Sequence, residues 1–419
     1  MLQALFPQTH HCYTSLPLLG PILDSFATCL AERGYRQGTL RVMLRPMARI
    51  DRWLRGHDVQ GIADLDVEVL ETCWATFRRR SSSTGGVIRA LARYLDATGV
   101  LQPRSLEPLT PSEQLLSRYE EHLAKVRGFA ESSVGNHVRT ASQFLSHVRC
   151  DDEPSGLSSL TASDIESFVR HSGQRLARAS LQQLVAHLRG FLRFLVAMGE
   201  GSPGLADTID TPRLYRHEQL PRSLPWSTVT ALLESIDRDT SVGLRDYTML
   251  LLIAAYGLRI GEIVSLALED IHWREGWLQV SRRKTRSAIR LPLTDAVASA
   301  LVHYLRAARP KEVAWRYLFL RSRAPVGPLT PNAVSMVFHR WARRCPLEIP
   351  FSGAHCLRHS YAVHLLRSGA CVKTIGDLLG HRDMESTTVY LRLATEDLRE
   401  VALPMPGATS VNRDQEVTS

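Results

Sequence analysis

Cysteine pairs at metal-binding or redox spacing are missing from this sequence. The seven cysteines are scattered and odd in number, and no two of them form a C-x-x-C motif. This pattern argues for a reducing compartment and against a structural zinc site. His10, His11 and Cys12 are metal-ligand types in a row, but for this segment we predict a mobile N-terminal tail. We therefore predict neither a metal nor a cofactor.

Long apolar runs are also missing. The longest one, MLLLIAAYGL from Met249, has about half of the residues that a membrane-spanning helix requires. The first residues lack the basic start and apolar core that mark a signal peptide. We therefore expect no membrane association and a cytoplasmic location.

The sequence also has fewer acidic than basic residues. The 419 residues include 51 Lys and Arg against 42 Asp and Glu, which gives a net charge of +9. This balance suits a polyanionic partner, because each neutralised phosphate releases condensed counterions. Ribosomal and many other basic proteins share the signature, so it does not identify a function. The length predicts two or three domains.

The last third of the chain contains a set of polar side chains suited to phosphodiester chemistry. They are Arg259, Glu262, Lys284, His355, Arg358, His381 and Tyr390. A tyrosine attacks as phenolate, yet a pKa of about 10 leaves roughly 0.1% ionised near neutral pH, a deficit of about 4 kcal/mol. Nearby cations lower this cost. They also neutralise charge in the transition state, where each pre-aimed donor contributes roughly a hundred- to a thousand-fold.

Each of these residues alone has an ordinary structural explanation. Tyr390 alone is typical of a half-buried helix residue with a satisfied hydroxyl group. Arg259 after a glycine is typical of a cation at a helix C-terminus. Glu262, three residues later, is typical of an intrahelical ion pair, and it would also suit a supporting role behind the reacting groups. Only their order and spacing together favour one shared site.

That order and spacing resemble the tyrosine recombinase, or phage integrase, family. The family has an Arg in a G-x-R-x-x-[ED] segment, and YGLRIGE matches it with Gly257, Arg259 and Glu262. Its H-x-L-R-H-[ST] block matches residues 355–360, HCLRHS, without a gap. These two matches cover both arginines of the set.

Two further blocks extend the resemblance. The family's lysine precedes a basic strand that ends in Pro-Leu, as Lys284 does eight residues before Pro292. Its L-G-H block matches residues 379–381, and Tyr390 follows nine residues after His381. The resemblance therefore covers every catalytic position of the family.

The resemblance implies a mainly α fold. Helical N-terminal and core-binding domains would precede a mixed α+β catalytic domain with a small β-hairpin or sheet. It also implies double-stranded DNA as the partner in the nucleoid, a homotetramer on two duplexes, and accessory recombinases in some elements.

The implied mechanism is strand exchange by two transesterifications. Tyr390 would attack the scissile phosphate and form a 3′-phosphotyrosyl link, while Arg259 and Arg358 would hold the non-bridging oxygens. Lys284 would protonate the departing 5′-oxygen and His355 would accept the tyrosine proton. The remaining group, His381, would hydrogen-bond to the phosphate. The covalent link retains the bond energy, so the reaction needs neither ATP nor a metal.

Proline-rich stretches and helical periodicity divide the sequence into five predicted segments. They are an additional helical N-terminal domain at 1–105, a helical core-binding domain at 106–202, a linker at 203–223, a catalytic domain at 224–402 and a disordered tail at 403–419. Thr161 with Asp164, and Thr330 with Pro331, predict helix N-termini. GWLQVSR and SAIRLPL alternate as two short strands on either side of Lys284.

Two segments outside the motifs each have two interpretations. The residues from Phe26 can be laid over those from Tyr119, at an offset of about 94 residues. They form either a duplicated module that contacts DNA or a neighbouring protomer, or an unrelated helix pair of the same periodicity. After Tyr390, TEDLREVAL predicts a short helix that docks on a neighbouring protomer or packs on its own domain.

Three functions stay open at this point. The first is a site-specific recombinase acting as integrase, transposase or resolvase, and the core-binding resemblance favours it. The second is a type IB topoisomerase-like nicking and closing enzyme, and the third is a non-catalytic DNA-binding partner in a multi-recombinase mobile element. The DNA target cannot be read from the sequence, because it depends on a few base contacts and on duplex deformability.

Overall fold

The structure, a computed structural model, describes residues 1–79, 81–101, 110–150, 157, 159–213, 221–282, 287–311, 313–381, 383 and 385–393. These residues form two compact units. One comprises Met1–Ala48 with Gln219–Ser419, and the other comprises Arg49–Glu218. Residues 1–105, which the sequence predicts as one domain, are thus divided between the units, and the five-segment division stays a prediction.

The N-terminal residues are helical and packed. The helices are α1 (Leu2–Leu5), α2 (His11–Thr14), α3 (Gly20–Glu32), α4 (Gln37–Leu44) and α5 (Met47–Arg55). Leu2 and Leu5 are buried, and the terminal ammonium group lies 3.0 Å from the Asp24 carboxylate. The prediction of a mobile tail around His10 is therefore wrong, because these buried leucines fold the segment back onto its own unit.

The unit Arg49–Glu218 contains the helices that follow. They are α6 (Val67–Arg78), α7 (Ser82–Ala97), α8 (Pro111–Glu121), α9 (Glu131–His147), α10 (Ala162–Gly173) and α11 (Arg178–Ala197). The Asp164 carboxylate accepts a hydrogen bond of 2.9 Å from the backbone N–H of Thr161, which confirms the predicted start of α10. Tyr119, Phe144 and Phe191 are fully buried in its core.

The two segments of the proposed duplication share local features. Phe26 on α3 and Tyr119 on α8 are both fully buried. Gly34 and Gly128 both have positive φ, 85° and 62°, in the turns after these helices. The next helix differs: α9 is continuous, whereas α4 and α5 are separated around Pro46, which cannot donate a helix hydrogen bond. The duplication stays a prediction, with shared burial in its favour.

The larger part of the other unit surrounds a small sheet. Its helices are α12 (Trp226–Glu234), α13 (Ser241–Tyr256), α14 (Ile260–Ser265), α15 (Asp295–His303), α16 (Pro331–Ala342), α17 (His355–Arg367), α18 (Val372–Leu379) and α19 (Glu385–Thr388). Its strands are β1 (Ile271–His272), β2 (Trp277–Arg282) and β3 (Ser287–Pro292), paired antiparallel in the order β1-β2-β3. The predicted strands and the Thr330 cap of α16 are confirmed.

The fold class is therefore as predicted: mainly helical, with a small antiparallel sheet beside the catalytic motifs. Helix α13 is central to the core of this unit, and its Met249, Leu250, Leu252 and Ile253 are fully buried. Among the helices that the structure describes, none combines the length and apolar character that a membrane crossing requires.

A buried ion network ties α13 to α16. The Asp246 carboxylate is fully buried and accepts hydrogen bonds of 3.1 and 2.8 Å from Arg245 Nε and Nη2. Its other oxygen accepts from Arg340 Nη2 and, at 2.9 Å, from Trp341 Nε1. One buried carboxylate thus compensates the buried Arg245 guanidinium group and the partly exposed Arg340 guanidinium group.

Replacing this carboxylate will destabilise the protein strongly. Asp246→Asn leaves two guanidinium groups without their counter-charge, and we expect the free energy of unfolding to fall by about 3–5 kcal/mol. Urea unfolding measures this loss. The control is Glu269→Gln, because the Glu269–Arg316 pair at 2.5 Å is exposed and should matter little. Equal stability of the two variants would contradict the central role of the Asp246 network.

Candidate active site

Backbone carbonyls at the end of α18 organise the candidate site. The last carbonyls of a helix have no partner within the helix, and they carry the negative end of its dipole. Here the four consecutive carbonyls of residues 377–380 accept hydrogen bonds from three guanidinium groups. The pairs are Arg282 with Asp377 (3.0 Å) and Leu378, Arg358 with Leu379 (2.5 Å), and Arg259 with Gly380 (2.9 Å).

The three arginines come from separate elements of the unit. Arg259 is the residue before α14, Arg282 is the last residue of β2, and Arg358 is the fourth residue of α17. The carbonyl row therefore joins four pieces of chain that are distant in sequence. Cations also suit this end of a helix, because they complement its dipole.

Glu262 is the carboxylate that faces this group of cations. Its oxygens accept hydrogen bonds from Arg259 Nη1 at 2.9 Å and from the Arg259 backbone N–H at 2.8 Å. The side chain is 6% exposed. It also raises the pKa of Arg282 and Arg358 against the effect of their burial. The predicted ion pair between Arg259 and Glu262 is present, and the Glu262 charge also acts on Arg282 and Arg358.

Arg358 is the most enclosed of the predicted cations that the structure describes. It is 5% exposed, and its Nη1 donates a further hydrogen bond of 2.5 Å to the Gly257 carbonyl. Burial, followed by the charge of Arg259, lowers the pKa of Arg358 to about 10. The group thus stays protonated at neutral pH, and two carbonyls fix the plane of its fork.

Two glycines let the chain approach these arginines closely. Gly257, which ends α13, and Gly380, which ends α18, both have a φ of 63°. A Cβ on Gly257 would lie 2.7 Å from Leu379 Cδ2, and one on Gly380 would lie 2.8 Å from the Arg282 guanidinium carbon. Both glycines are therefore required by conformation and by space.

The Tyr390 phenol lies among these groups but is itself buried. It is 2% exposed and packs against Ala362, Val363, Ile375 and Leu379. Burial raises the pKa of Tyr390, while the charges of Arg358 and Arg259 lower it. The two guanidinium groups are thus close enough to stabilise a phenolate, but in this conformation burial has the larger effect.

Two histidines flank the phenol. His359 Nδ1 lies 2.9 Å from the Tyr390 hydroxyl oxygen, and the His381 ring stacks beside the Tyr390 ring at a centroid distance of 6.3 Å. His381 Nδ1 lies 2.7 Å from Thr387 Oγ1, which leaves Nε2 for another partner. Burial, helped by neighbouring cations, lowers the pKa of both histidines to about 4. Both rings are therefore neutral at pH 7.

The structure brings together five of the residues that the motifs predict. They are Arg259, Glu262, Arg358, His381 and Tyr390. His355 begins α17 with an exposed ring, and its charge lowers the pKa of His359. Lys284 lies outside the described residues, between Arg282 and Ser287, which are paired across β2 and β3.

Two residues at the site were not among the predicted ones, although each had a sequence signal. His359 follows His355 by four residues, which places both on one face of α17. Arg282 continues the alternation of Leu278 and Val280, which places its side chain on the buried face of β2. Within the part of the chain that is described, no three His, Cys, Asp or Glu side chains group to hold a metal ion.

Two regions of the chain match known protein families. Residues 222–397 match the sequence profile of the phage integrase family, and residues 116–199 match that of the phage integrase N-terminal SAM-like domain. The protein named "Putative integrase/recombinase y4rA" of Sinorhizobium fredii is 32% identical over 400 residues, which are 94% of this chain and 97% of that protein. Tyrosine recombinase XerD of Listeria monocytogenes is 30% identical over 292 residues, which are 68% of this chain and 96% of XerD.

Solved structures share the fold. A XerH site-specific recombinase bound to a palindromic difH substrate, in a post-cleavage complex, matches with a TM-score of 0.54 and 18% identity, over 74% of this chain and 92% of that one. A fragment of lambda integrase, residues 75–356, was solved as a dimer bound to a COC′ core site. It matches with a TM-score of 0.53 and 20% identity, over 66% of this chain and 94% of that one. At these identities the likeness concerns the fold, and it agrees with the predicted fold class.

The two neutral histidines make stability depend on pH. Unfolded imidazoles take up protons below about pH 6.5, whereas His359 and His381 stay neutral until about pH 4. The free energy of unfolding will therefore fall as the pH falls through this window. In His359→Gln the loss between about pH 7.5 and about pH 5 should be smaller than in the wild type, by on the order of 1–2 kcal/mol.

Urea unfolding at the two pH values measures this difference. The control is His303→Gln, because His303 is exposed at the end of α15 and should leave the pH dependence unchanged. An equal loss of stability in the wild type and in His359→Gln would show that His359 is not one of the linked groups.

Proposed function

The chain belongs to the phage integrase family of tyrosine recombinases, and we propose that Tyr390 is the nucleophile with which it cuts and rejoins DNA. As a member of this family, the protein is a site-specific recombinase that acts on DNA. One observation carries the assignment of Tyr390: its ring packs with Leu379, whose carbonyl accepts a hydrogen bond from Arg358, and the charges of Arg358 and Arg259 both lower its pKa. These two guanidinium groups are the proposed phosphate clamp.

In the proposed cleavage step the Tyr390 oxygen attacks the scissile phosphorus. A new phosphotyrosyl bond forms at the 3′ end, and the bond to the 5′-oxygen breaks. Arg259 and Arg358 hold the non-bridging oxygens, a bidentate task that suits a planar guanidinium group. Attack by a 5′-hydroxyl group from the other duplex reverses the chemistry and joins the exchanged strands.

Proton transfers involve the remaining motif residues. His355 is the proposed acceptor of the phenolic proton, and Lys284 is the proposed donor to the departing 5′-oxygen. His381 would hydrogen-bond to the phosphate through Nε2, since Thr387 engages its Nδ1. His359 would orient the phenol, because its neutral ring lies 2.9 Å from the hydroxyl oxygen. Glu262 would support Arg259 from behind through their ion pair.

In this structure the proposed nucleophile is buried. A phenol that is 2% exposed cannot reach a duplex, and its raised pKa keeps it protonated. Cleavage therefore requires that the short segment Val389–Leu393 move when DNA binds. This requirement makes strand breakage depend on the correct substrate.

The working assembly is proposed to be a homotetramer on two double-stranded DNA sites. A relative of the same fold, lambda integrase, is seen as a tetramer bound to a Holliday junction. The match of residues 116–199 to the SAM-like domain supports a core-binding domain within the predicted segment 106–202. Accessory recombinases and a cytoplasmic, nucleoid-associated location are proposed with it, and the free thiols of all seven cysteines suit that compartment.

A type IB topoisomerase-like activity would share the same chemistry without a second duplex. The SAM-like match favours recombination over this alternative. Two marked plasmids, each carrying a duplex that the wild-type protein selects from a random-sequence pool, distinguish the two functions. Exchange of markers supports recombination. Relaxation of supercoils without exchange would support the topoisomerase.

Removing the phenolic oxygen will abolish covalent chemistry. Tyr390→Phe cannot form a phosphotyrosyl bond, so we expect no protein–DNA adduct on denaturing gels with the selected duplex, while DNA affinity stays near the wild-type value. Tyr361→Phe is the matched control, because Tyr361 packs beside Gly257 in the same unit. Adducts that persist in Tyr390→Phe would show that another residue is the nucleophile.

Exchange of the Arg358 guanidinium group for an ammonium group will slow cleavage despite the retained charge. Arg358→Lys loses the fork that bonds to Gly257 and Leu379, and we expect adduct formation to slow by about a hundred- to a thousand-fold. Single-turnover cleavage of the selected duplex measures this rate. Arg367→Lys, an exposed change on the same helix, is the control. A wild-type rate in Arg358→Lys would contradict the clamp.

A further inference from the structure

We propose that Arg282 is a positioning residue for strand cleavage, which holds the end of α18 so that Arg358 and Arg259 are aimed at the phosphate. This inference rests on the proposed roles of those two arginines. No family motif quoted above includes Arg282. Its side chain nevertheless supplies hydrogen bonds to two of the four carbonyls that organise the site.

Arg282 occupies a position where an apolar residue would be less costly. It is 6% exposed, on the same face of β2 as the fully buried Leu278 and Val280. Burial of a guanidinium group carries a large desolvation penalty. Its Nε is also buried and has no hydrogen-bond partner among the described residues. Stability alone therefore does not explain an arginine at this position.

The contacts of Arg282 connect it to both clamp residues. It bonds to the carbonyls of Asp377 and Leu378, and the next two carbonyls along the chain receive Arg358 and Arg259. The Gly380 N–H itself bonds to the Asp377 carbonyl at 3.1 Å, so a shift at residues 377–378 also displaces the acceptors at 379–380. The guanidinium group also packs on Gly380, where an added Cβ would lie 2.8 Å from its central carbon.

Charge repulsion between Arg282 and the two clamp arginines opposes this positioning effect. The charge of Arg259 lowers the pKa of Arg282, and Arg282 and Arg259 both lower the pKa of Arg358. Removal of Arg282 would therefore relieve some repulsion within the clamp. Misplacement by about 1 Å can nevertheless cost about a hundred-fold in rate, so we expect the loss of positioning to dominate.

Single-turnover cleavage of the selected duplex tests the proposal. Arg282→Met keeps the length of the side chain and removes its donors, and we expect adduct formation to slow by about 10- to 100-fold. Arg282→Lys keeps the charge but cannot bridge two carbonyls, and it should lose a smaller part of the rate. If Arg282→Met fails to fold, Arg282→Lys provides the same comparison. A wild-type or faster rate in folded variants would overturn the proposal.

A double-mutant cycle separates positioning from general structural support. If Arg282 acts through the clamp, Arg282→Met will slow Arg358→Lys by much less than it slows the wild type. Multiplicative effects in the double variant would overturn the proposal, because they would indicate an independent contribution. DNA affinity should stay near the wild-type value in all three variants.

Arg309→Met is the matched control. Arg309 also donates hydrogen bonds to backbone carbonyls in this unit, at Trp315 (2.6 Å) and Tyr317 (2.9 Å), and neither belongs to α18. We expect this change to lower the melting temperature without slowing cleavage by the folded protein. An equal loss of cleavage rate in both Arg→Met variants would overturn the positioning role.

Two different failures are distinguishable. If Tyr390→Phe gives no adduct and Arg358→Lys is slow while the Arg282 variants react normally, only the role of Arg282 is wrong. If Tyr390→Phe still forms adducts, the proposed nucleophile is wrong.

Discussion

Hydrogen bonding between one helix end and three guanidinium groups is the interaction on which the candidate site depends. The carbonyls of residues 377–380 lie at the end of α18, where a helix has more acceptors than donors, and Arg259, Arg282 and Arg358 would repel one another without acceptors between them. The guanidinium groups therefore supply donors to these carbonyls, and the carbonyls supply the acceptors that reduce repulsion among the three arginines. The glycines that end α13 and α18, and the packing of Tyr390 on Leu379, follow from this arrangement.

Much of the fold, and the order of the site residues along the chain, can be predicted from the sequence because these signals are local. Thr161 with Asp164 and Thr330 with Pro331 start helices through contacts within one turn, and the strands beside Lys284 follow from alternation. Five of the seven motif residues meet in the structure. The family resemblance supplied this grouping, since spacing alone does not show which distant segments come together.

What the sequence did not reveal depends on tertiary contacts. In the sequence Arg282 is one of three consecutive basic residues, and nothing local shows that α18 offers it two carbonyls. His359 belongs to the H-x-L-R-H-[ST] block, but its contact with Tyr390 joins positions that are 31 residues apart. The prediction of a mobile N-terminal tail is wrong for the same reason, because the burial of Leu2 and Leu5 depends on packing within their unit.

The proposed clamp and the proposed nucleophile differ in how firmly the structure fixes their reacting groups. An arginine side chain has five N–H donors, and Arg358 uses Nη1 and Nη2 to hold the Gly257 and Leu379 carbonyls. Its other N–H groups can bind a phosphate while these bonds persist, once the movement that admits DNA exposes this guanidinium group, which is itself 5% exposed. Tyr390 is in the opposite condition, because it is buried and its pKa is raised. In the proposed mechanism the guanidinium groups are already held together beside a buried phenol, so DNA must open this site rather than assemble its cations.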